Sequence, residues 1–468
     1  MQQPTVAEHI GEFAAQLRFE DLPVDVVEHA QHLVLDSVGV AFCAANEPFA
    51  ERARRALGLL GDGTQPVLAL PDRLSPRDAA MLNGILIHGH DFDDTHIGSI
   101  VHVSASALPS AIASAIMNDR TTREMLVGYV LGVEVSARIG LAAHGGFHEV
   151  GFHPTGLAGA FGAAVTAGKL AGLDAQGIAG AQQVVGSMAS GILEFLDDGA
   201  WTKRLHPGWA SSSALTAAAF AGAGWPGPRR VYEGRYGLYA THLAGKDWDA
   251  EAITAGLGDH WELLATAVKP YPSCHFTHGF ADAVLALRSA AGFAAEDVEH
   301  IRCLIHPTAA AAVCEPLERK RRPHDLYDAK FSVPYVVGAC LSRGKLTLAE
   351  FTDDSLDDPA IHKLADRVDV ADDPDSRFPQ AYSAAVEITL RDGRRLNRRE
   401  PVNRGHPERP LSHQEIQDKF TANMRAVGDE QLIQRVRDVV RDLGSDHSAL
   451  EFAEACSAAP AAGGGEVL

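Results

Sequence analysis

Residues 88–106, HGHDFDDTHIGSIVHVSAS, place His88, His90, His96 and His102 beside Asp91, Asp93 and Asp94, directly after the apolar run Ile85-Leu86-Ile87. Ionisable groups at the end of an apolar segment cost desolvation energy unless partners or solvent meet them. Imidazole and carboxylate are ligands of zinc and non-haem iron, so His88, His90, Asp91, Asp94 and His96 suggest a coordination sphere. The chain has no HExxH, and no second His/Cys cluster supplies the remaining ligands at a characteristic spacing. A helical reading gives a different picture. Ser75-Pro76 reads as an N-cap followed by a first-turn proline. A helix running from there into the cluster puts His88, Asp91 and Thr95 on one face and points Asp93 elsewhere. Such a face suits proton transfer and substrate hydrogen bonding. Residue types alone leave three readings open: a metal site, a metal-free acid–base site and a solvated helix end.

Three later segments carry further candidates. In Gly151-Phe152-His153-Pro154-Thr155 the histidine precedes a proline at a helix start, near the positive end of a helix dipole that favours the neutral imidazole. The plain alternative is a loop histidine. Lys203, Arg204 and His206 lie between Trp201 and Trp209 in WTKRLHPGW, a candidate carboxylate or phosphate clamp, with a solvated loop as the alternative. Lys269 opens KPYPSCHFTH, where Pro270 and Pro272 favour extended backbone. Cys274 beside His275 is not read as a nucleophile pair, because sequence neighbours seldom face each other. The run Glu318–Arg322 reads as a solvated basic loop. No P-loop, GxSxG or dinucleotide fingerprint stands in a suitable context.

The elements that must position these residues change character along the chain. Val6, Ile10, Phe13 and Leu17 recur at helical spacing, Val26 to Ala44 reads as a buried helix, and Thr121-x-x-Glu124 is a capping box. Residues 154–224 are rich in Gly, Ala and Ser, which predicts closely packed helices. Near residue 262 strand patterns begin: Leu263–Val268, Val298–Ile305 and Ala384–Leu390, the last followed by an Arg391-Asp392-Gly393 turn. Helices are expected from Ser332 to Leu341, from Thr347 onward and from Ala360 to Val368. Ser412-x-x-Glu415 opens a return to helices. The expected fold is mainly α: a large all-helical domain formed by both chain ends (1–264 and 403–456) with an inserted smaller α+β lid domain (265–402) and a flexible tail (457–468).

The 468 residues favour more than one core. The formal charge of −20 argues against nucleic acid or an anionic membrane as partner. No signal peptide and no run of about 18 apolar residues is evident. Six scattered cysteines fit reduced thiols in a cytoplasmic protein.

Taken in order, NGILIHGHDFDDTH, HVSASALPSAIAS, GFHPTGLAGAFGAA, LEFLDDGAWTKRLHPGWAS, KPYPSCHFTH and DAKFSVPYVVGACLSRGKLTLAEFTDD closely resemble the MmgE/PrpD family. The resemblance implies a helical domain with an α+β lid, a homodimer, an active site in the cleft between domains, and chemistry without metal or other cofactor. Carried over by motif, it implies catalytic roles for Asp91, His102, His153, Lys203 and Lys269, with Thr95 on the same wall. Arg204, His206, Cys274 and His275 are expected to bind substrate. The substrate class it implies is a small carboxylate anion. Lysines and arginine would hold its carboxylates while Asp91, His102 and His153 exchange protons. The leading expectation is a metal-independent hydro-lyase on a hydroxy-di- or tricarboxylate such as 2-methylcitrate. Decarboxylation or epimerisation of a related acid is second, and tailoring of a secondary metabolite third. Asp93, Asp94, His90 and His96 are read as supporting the wall.

Overall fold

The computed structural model describes residues 3–425 and 427–458; the expected flexible tail beyond residue 458 lies outside them. Thr5 and Glu8 form a capping box that opens the helix Val6–Gln16, and Val24–Ala44 follows as a long, largely buried helix. Both later capping boxes are present, Thr121/Glu124 opening Thr122–Ala142 and Ser412/Glu415 opening His413–Met424. Contrary to the reading of the sequence, Thr122–Ala142 is long and apolar enough to cross a membrane; 94% of its apolar window is buried inside the molecule. Its Glu134 and Arg138 form an internal ion pair at 2.6 Å.

The Gly/Ala-rich stretch forms packed helices. Pro154–Leu170 is buried on every side except at Lys169 and touches Ser104–Met117, Thr122–Ala142 and Thr202–Gly222. Where Thr202–Gly222 crosses Pro76–His88, a Cβ on Gly84 would stand 2.6 Å from the Cα of Gly208, so only glycine permits this approach. That crossing lays the start of one helix, with Lys203 and Arg204, against the end of the other, with His88.

A four-stranded sheet forms in the second half of the chain. Val298–Ile305 is flanked by Val368–Asp372, which runs parallel to it, and by antiparallel Ala384–Leu390, which pairs in turn with Arg395–Glu400. The register sets Ile301 opposite Ile388 and Cys303 opposite Val386. Three expectations change here. The segment 263–268 is mostly a 3-10 turn, Glu262–Ala265, followed by the two-residue strand Thr266–Ala267. The helix expected from Thr347 is a single 3-10 turn, Leu348–Glu350. The helix expected through Val368 ends at Ala365, and Val368 begins a strand whose alternation is too short to stand out.

Buried apolar side chains form two main cores. One draws on Val6 through Val268 and on Leu411 through Cys456; the other draws on Ile97 and on Ala267 through Leu390. The basic run is not a solvated loop: Leu317–Arg321 is a short helix in which Lys320 is buried and, with Arg319, pairs with Asp328. All six cysteines are buried and unpaired.

Candidate active site

The helix Pro76–His88 stops at His88 instead of continuing through the cluster, and Asp91 has φ 54°. That left-handed conformation is incompatible with a helix, so the shared face expected for His88, Asp91 and Thr95 does not form. A non-glycine residue held there stores strain of about 1–3 kcal/mol. Beyond it, Thr95–His96 pairs antiparallel with Thr266–Ala267. This two-residue ladder brings Lys269 back over Asp91.

Asp91 is almost fully buried, and its Oδ1 accepts from the ammonium groups of both Lys203 (2.8 Å) and Lys269 (3.0 Å). Burial alone would raise its pKa; Lys203 and Lys269, with His102 and His88, outweigh that and hold the carboxyl well below the usual range. Asp91 is therefore a fixed anion that organises two cations.

Asp93 stands behind the pocket lining, against His88 and His102. Its Oδ2 accepts from Nδ1 of His88 at 2.8 Å and stands 3.3 Å from Nδ1 of His102. Against the penalty of burial, His88 and His102 keep its carboxyl ionised. The His102 imidazole is held below its usual pKa chiefly by burial, with Lys269 and Lys203 adding to the effect against Asp93. With Nδ1 turned to Asp93, Nε2 of His102 is left as the reactive nitrogen. It lies 3.6 Å from Asp91 Oδ1, beyond hydrogen-bond distance. His153 takes the N-cap position of Pro154–Leu170, and its Nδ1 lies 3.0 Å from Nδ1 of His206. Burial, His206 and Lys203 hold it neutral.

A small pocket lined from both halves of the chain lies beside these groups. Asp91, Thr95, His102, His153, Lys203, Lys269, Cys274 and His275 all line it, as do the aromatic Phe195, Phe276, Phe331 and Tyr382. Burial pushes the Cys274 thiol up to about 11, which fits an inert contact rather than a nucleophile. His275 is tied by Nε2 to Asn403 at 2.8 Å.

Two expected substrate ligands are absent from the lining. The Arg204 guanidinium turns away, donating to Gly89 O at 2.8 Å and lying 3.9 Å from the centre of the Tyr327 ring. His206 stands behind His153. Helical phase is the reason: along Thr202–Gly222, Lys203 reaches the cavity while Trp201, Leu205 and Trp209 face outward. His90 and His96 serve the wall, His90 meeting Lys330 and His96 meeting Ser99 and Glu262.

Three contributors escaped the reading of the sequence: Asp36, Lys330 and Lys419. Lys419 pairs with Asp36 at 2.7 Å. A lone aspartate within the apolar run 33–44 was an available signal for Asp36. Nothing local marks Lys419.

Among the described residues, side-chain donors of His88, His102 and His153, and of His88, Asp91, Asp93 and His102, lie within 4.8 Å of one another. Two ammonium groups occupy Asp91 Oδ1 and His88 meets Asp93 Oδ2, while Asp91 Oδ2, Asp93 Oδ1 and His88 Nε2 are buried without a hydrogen-bond partner. The arrangement presents the Lys203 and Lys269 ammonium groups, the imidazoles of His102, His148, His153 and His275, and the Thr95 hydroxyl to the pocket, which suits a small anion and proton transfer.

The pocket thus draws its lining from both halves of a mainly helical chain. The chain is a member of the MmgE/PrpD family: residues 8–251 match the MmgE/PrpD N-terminal domain and 271–444 the MmgE/PrpD C-terminal domain. It is 26% identical over 463 residues to a cis-aconitate decarboxylase of Aspergillus terreus, covering 94% of this chain and 93% of that one. Against the cis-aconitate decarboxylase of Mus musculus it is 26% identical, over 98% and 93% of the two chains. Against a 2-methylcitrate dehydratase of Escherichia coli O157:H7 it is 24% identical, over 88% and 89%.

Proposed function

We propose that this protein is a metal-independent lyase that dehydrates a small hydroxy-di- or tricarboxylate. One observation carries the reading: a neutral imidazole, His102, backed by the Asp93 carboxylate, faces the same cavity as the Lys203 and Lys269 ammonium groups. His102 Nε2 takes the proton from the carbon beside a substrate carboxylate. The charge that builds on that carboxylate is met by an ammonium group. With both imidazoles held neutral, the protonated groups at hand are the lysines. One of them gives its proton to the departing hydroxyl, which leaves as water, while the other stays on the carboxylate.

Decarboxylation is the second reading, favoured by the cis-aconitate decarboxylases matched over nearly the whole chain. There the same cations hold the substrate as CO2 leaves, and only the return of a proton to carbon is needed. The test is incubation with 2-methylcitrate, citrate, cis-aconitate and iminodisuccinate in D2O, with and without chelator, followed by NMR. Loss of water supports dehydration, and loss of CO2 supports the second reading. Deuterium at carbon without either product points to epimerisation. Turnover abolished by chelator and restored by a metal ion overturns the metal-independent mechanism.

A homodimer is part of the same proposal. Trp201, Leu205, Trp209 and Phe220, each about two-fifths exposed, form an apolar stripe along Thr202–Gly222 that a second copy would cover. Light scattering should give twice the chain mass, and Leu205→Lys with Trp209→Lys should give the monomer mass.

A further inference from the structure

Four successive carbonyl oxygens of the loop that carries Asp91 each accept a hydrogen bond from a different buried basic side chain. Arg204 Nε donates to Gly89 O at 2.8 Å, Lys330 Nζ to His90 O at 2.9 Å, Lys269 Nζ to Asp91 O at 2.8 Å, and Lys419 Nζ to Phe92 O at 2.8 Å. The four come from separate parts of the chain. Arg204 lies at the start of Thr202–Gly222, Lys269 follows the short strand Thr266–Ala267, Lys330 ends the helix Leu326–Lys330, and Lys419 sits in His413–Met424.

The loop lies between a helix end and a two-residue strand, so its carbonyls have no helical or ladder partners of their own. Buried carbonyls need donors, but neutral side chains would serve that need. Charged ones are harder to bury. Among the described residues, neither Arg204 nor Lys330 has a carboxylate within ion-pair distance. Lys330 is held by His90 Nδ1 (3.2 Å) and His90 O, and the Arg204 guanidinium by the Tyr327 and Phe49 rings. Lys419 has Asp36 at 2.7 Å and lies 3.8 Å from the centre of the Phe92 ring. None of these three lines the cavity. Asp91, between them, has the left-handed backbone.

We propose that Arg204, Lys330 and Lys419 are positioning residues. They act through the carbonyls of Gly89, His90 and Phe92 to hold Asp91 where its carboxylate joins Lys203 and Lys269. This rests on reading Asp91 as part of a substrate site. Because the cations arrive from both halves of the chain, the loop reaches this conformation only when the halves are docked.

The test uses the full chain with Lys330→Met, Lys419→Met and, as control, the exposed Lys345→Met. Hydrogen exchange is followed in peptides covering residues 86–97, alongside kcat and KM on the substrate the wild type turns over and citrate affinity by calorimetry. For Lys330→Met and Lys419→Met, amides 89–94 should exchange at least about tenfold faster. kcat should fall at least about tenfold, while KM and citrate affinity stay within about threefold; the control should match wild type. If Lys419→Met does not fold, Lys419→Met with Asp36→Asn removes the stranded carboxylate. Lys330→Gln, which keeps a neutral donor, should lie between wild type and Lys330→Met. Exchange and kcat unchanged in both variants overturn the proposal, as does a loss of citrate affinity that tracks the fall in kcat, the mark of direct substrate ligands. A wild type that neither binds citrate nor turns over any polycarboxylate sinks the functional reading instead, and the exchange measurement still decides the positioning.

Discussion

Asp93 Oδ2 lies 3.3 Å from Nδ1 of His102, on the side of the ring away from the cavity. The carboxylate thereby fixes which nitrogen carries the proton and stabilises the imidazolium that forms when Nε2 takes one. Asp93→Asn should lower kcat about 100-fold, the low end of a general-base contribution, with KM little changed. Steady-state kinetics beside an unchanged circular dichroism spectrum checks this. A kcat within about threefold of wild type would remove Asp93 from the proton-transfer apparatus.

The pH profile follows from the direction of the His102 shift. Burial lowers its pKa from the usual value of about 6.5. A base that works in its neutral form then stays competent as pH falls through 6.5. We expect kcat/KM to be flat from about pH 8 down past 6.5 and to drop only below it. An acid-limb inflection at or above 6.5 contradicts this.

Acid stability is set by opposing groups. His88, His148 and His206 are lowered by burial to about 4, so between pH 6.5 and 4 the unfolded chain binds protons there that the folded chain does not. Their contribution is present above 6.5 and is lost as pH falls towards 4. Asp94, raised by burial to about 7, works the other way: it favours folding at low pH and loses that contribution as pH rises through about 7. The melting temperature should fall from pH 6.5 to 4. Asp94→Asn, which removes the opposing group, should make that fall steeper. Equal slopes for the two proteins would contradict the assignment.

Two lysines sharing one Asp91 oxygen predict non-additivity. Lys203→Met leaves a buried carboxylate with half its compensation and should destabilise the fold by about 3 kcal/mol, as for a broken buried pair. Adding Asp91→Asn should recover part of the stability and none of the turnover. Denaturant melts of the two single variants and the double variant give the coupling. Additive losses would mean that Asp91 and Lys203 do not interact.

The readable parts of this protein were those fixed by local chemistry. Thr121 and Ser412 each cap their own helix through a glutamate three residues on, and the Val298–Ile305 and Ala384–Leu390 strands declare themselves by alternation. The helix carried past His88 failed because Asp91 adopts φ 54°, which a helix does not allow. Val368–Asp372 stayed hidden because its partner, Val298–Ile305, supplies the pairing.

The same division holds at the site. The sequence alone determined which groups were present, and its resemblance to the MmgE/PrpD family singled out Asp91, Thr95, His102, His153, Lys203, Arg204, His206, Lys269, Cys274 and His275 as a set. Only the tertiary structure decided their duties. It set Asp93 against His88 and His102, paired Asp91 with two lysines, and sent Arg204 to a backbone carbonyl. It also brought Lys330 and Lys419 to the loop. The physical reason is that protonation state and hydrogen-bond partner depend on burial and on charges a few ångströms away, and those neighbours lie as far as 327 residues apart along the chain.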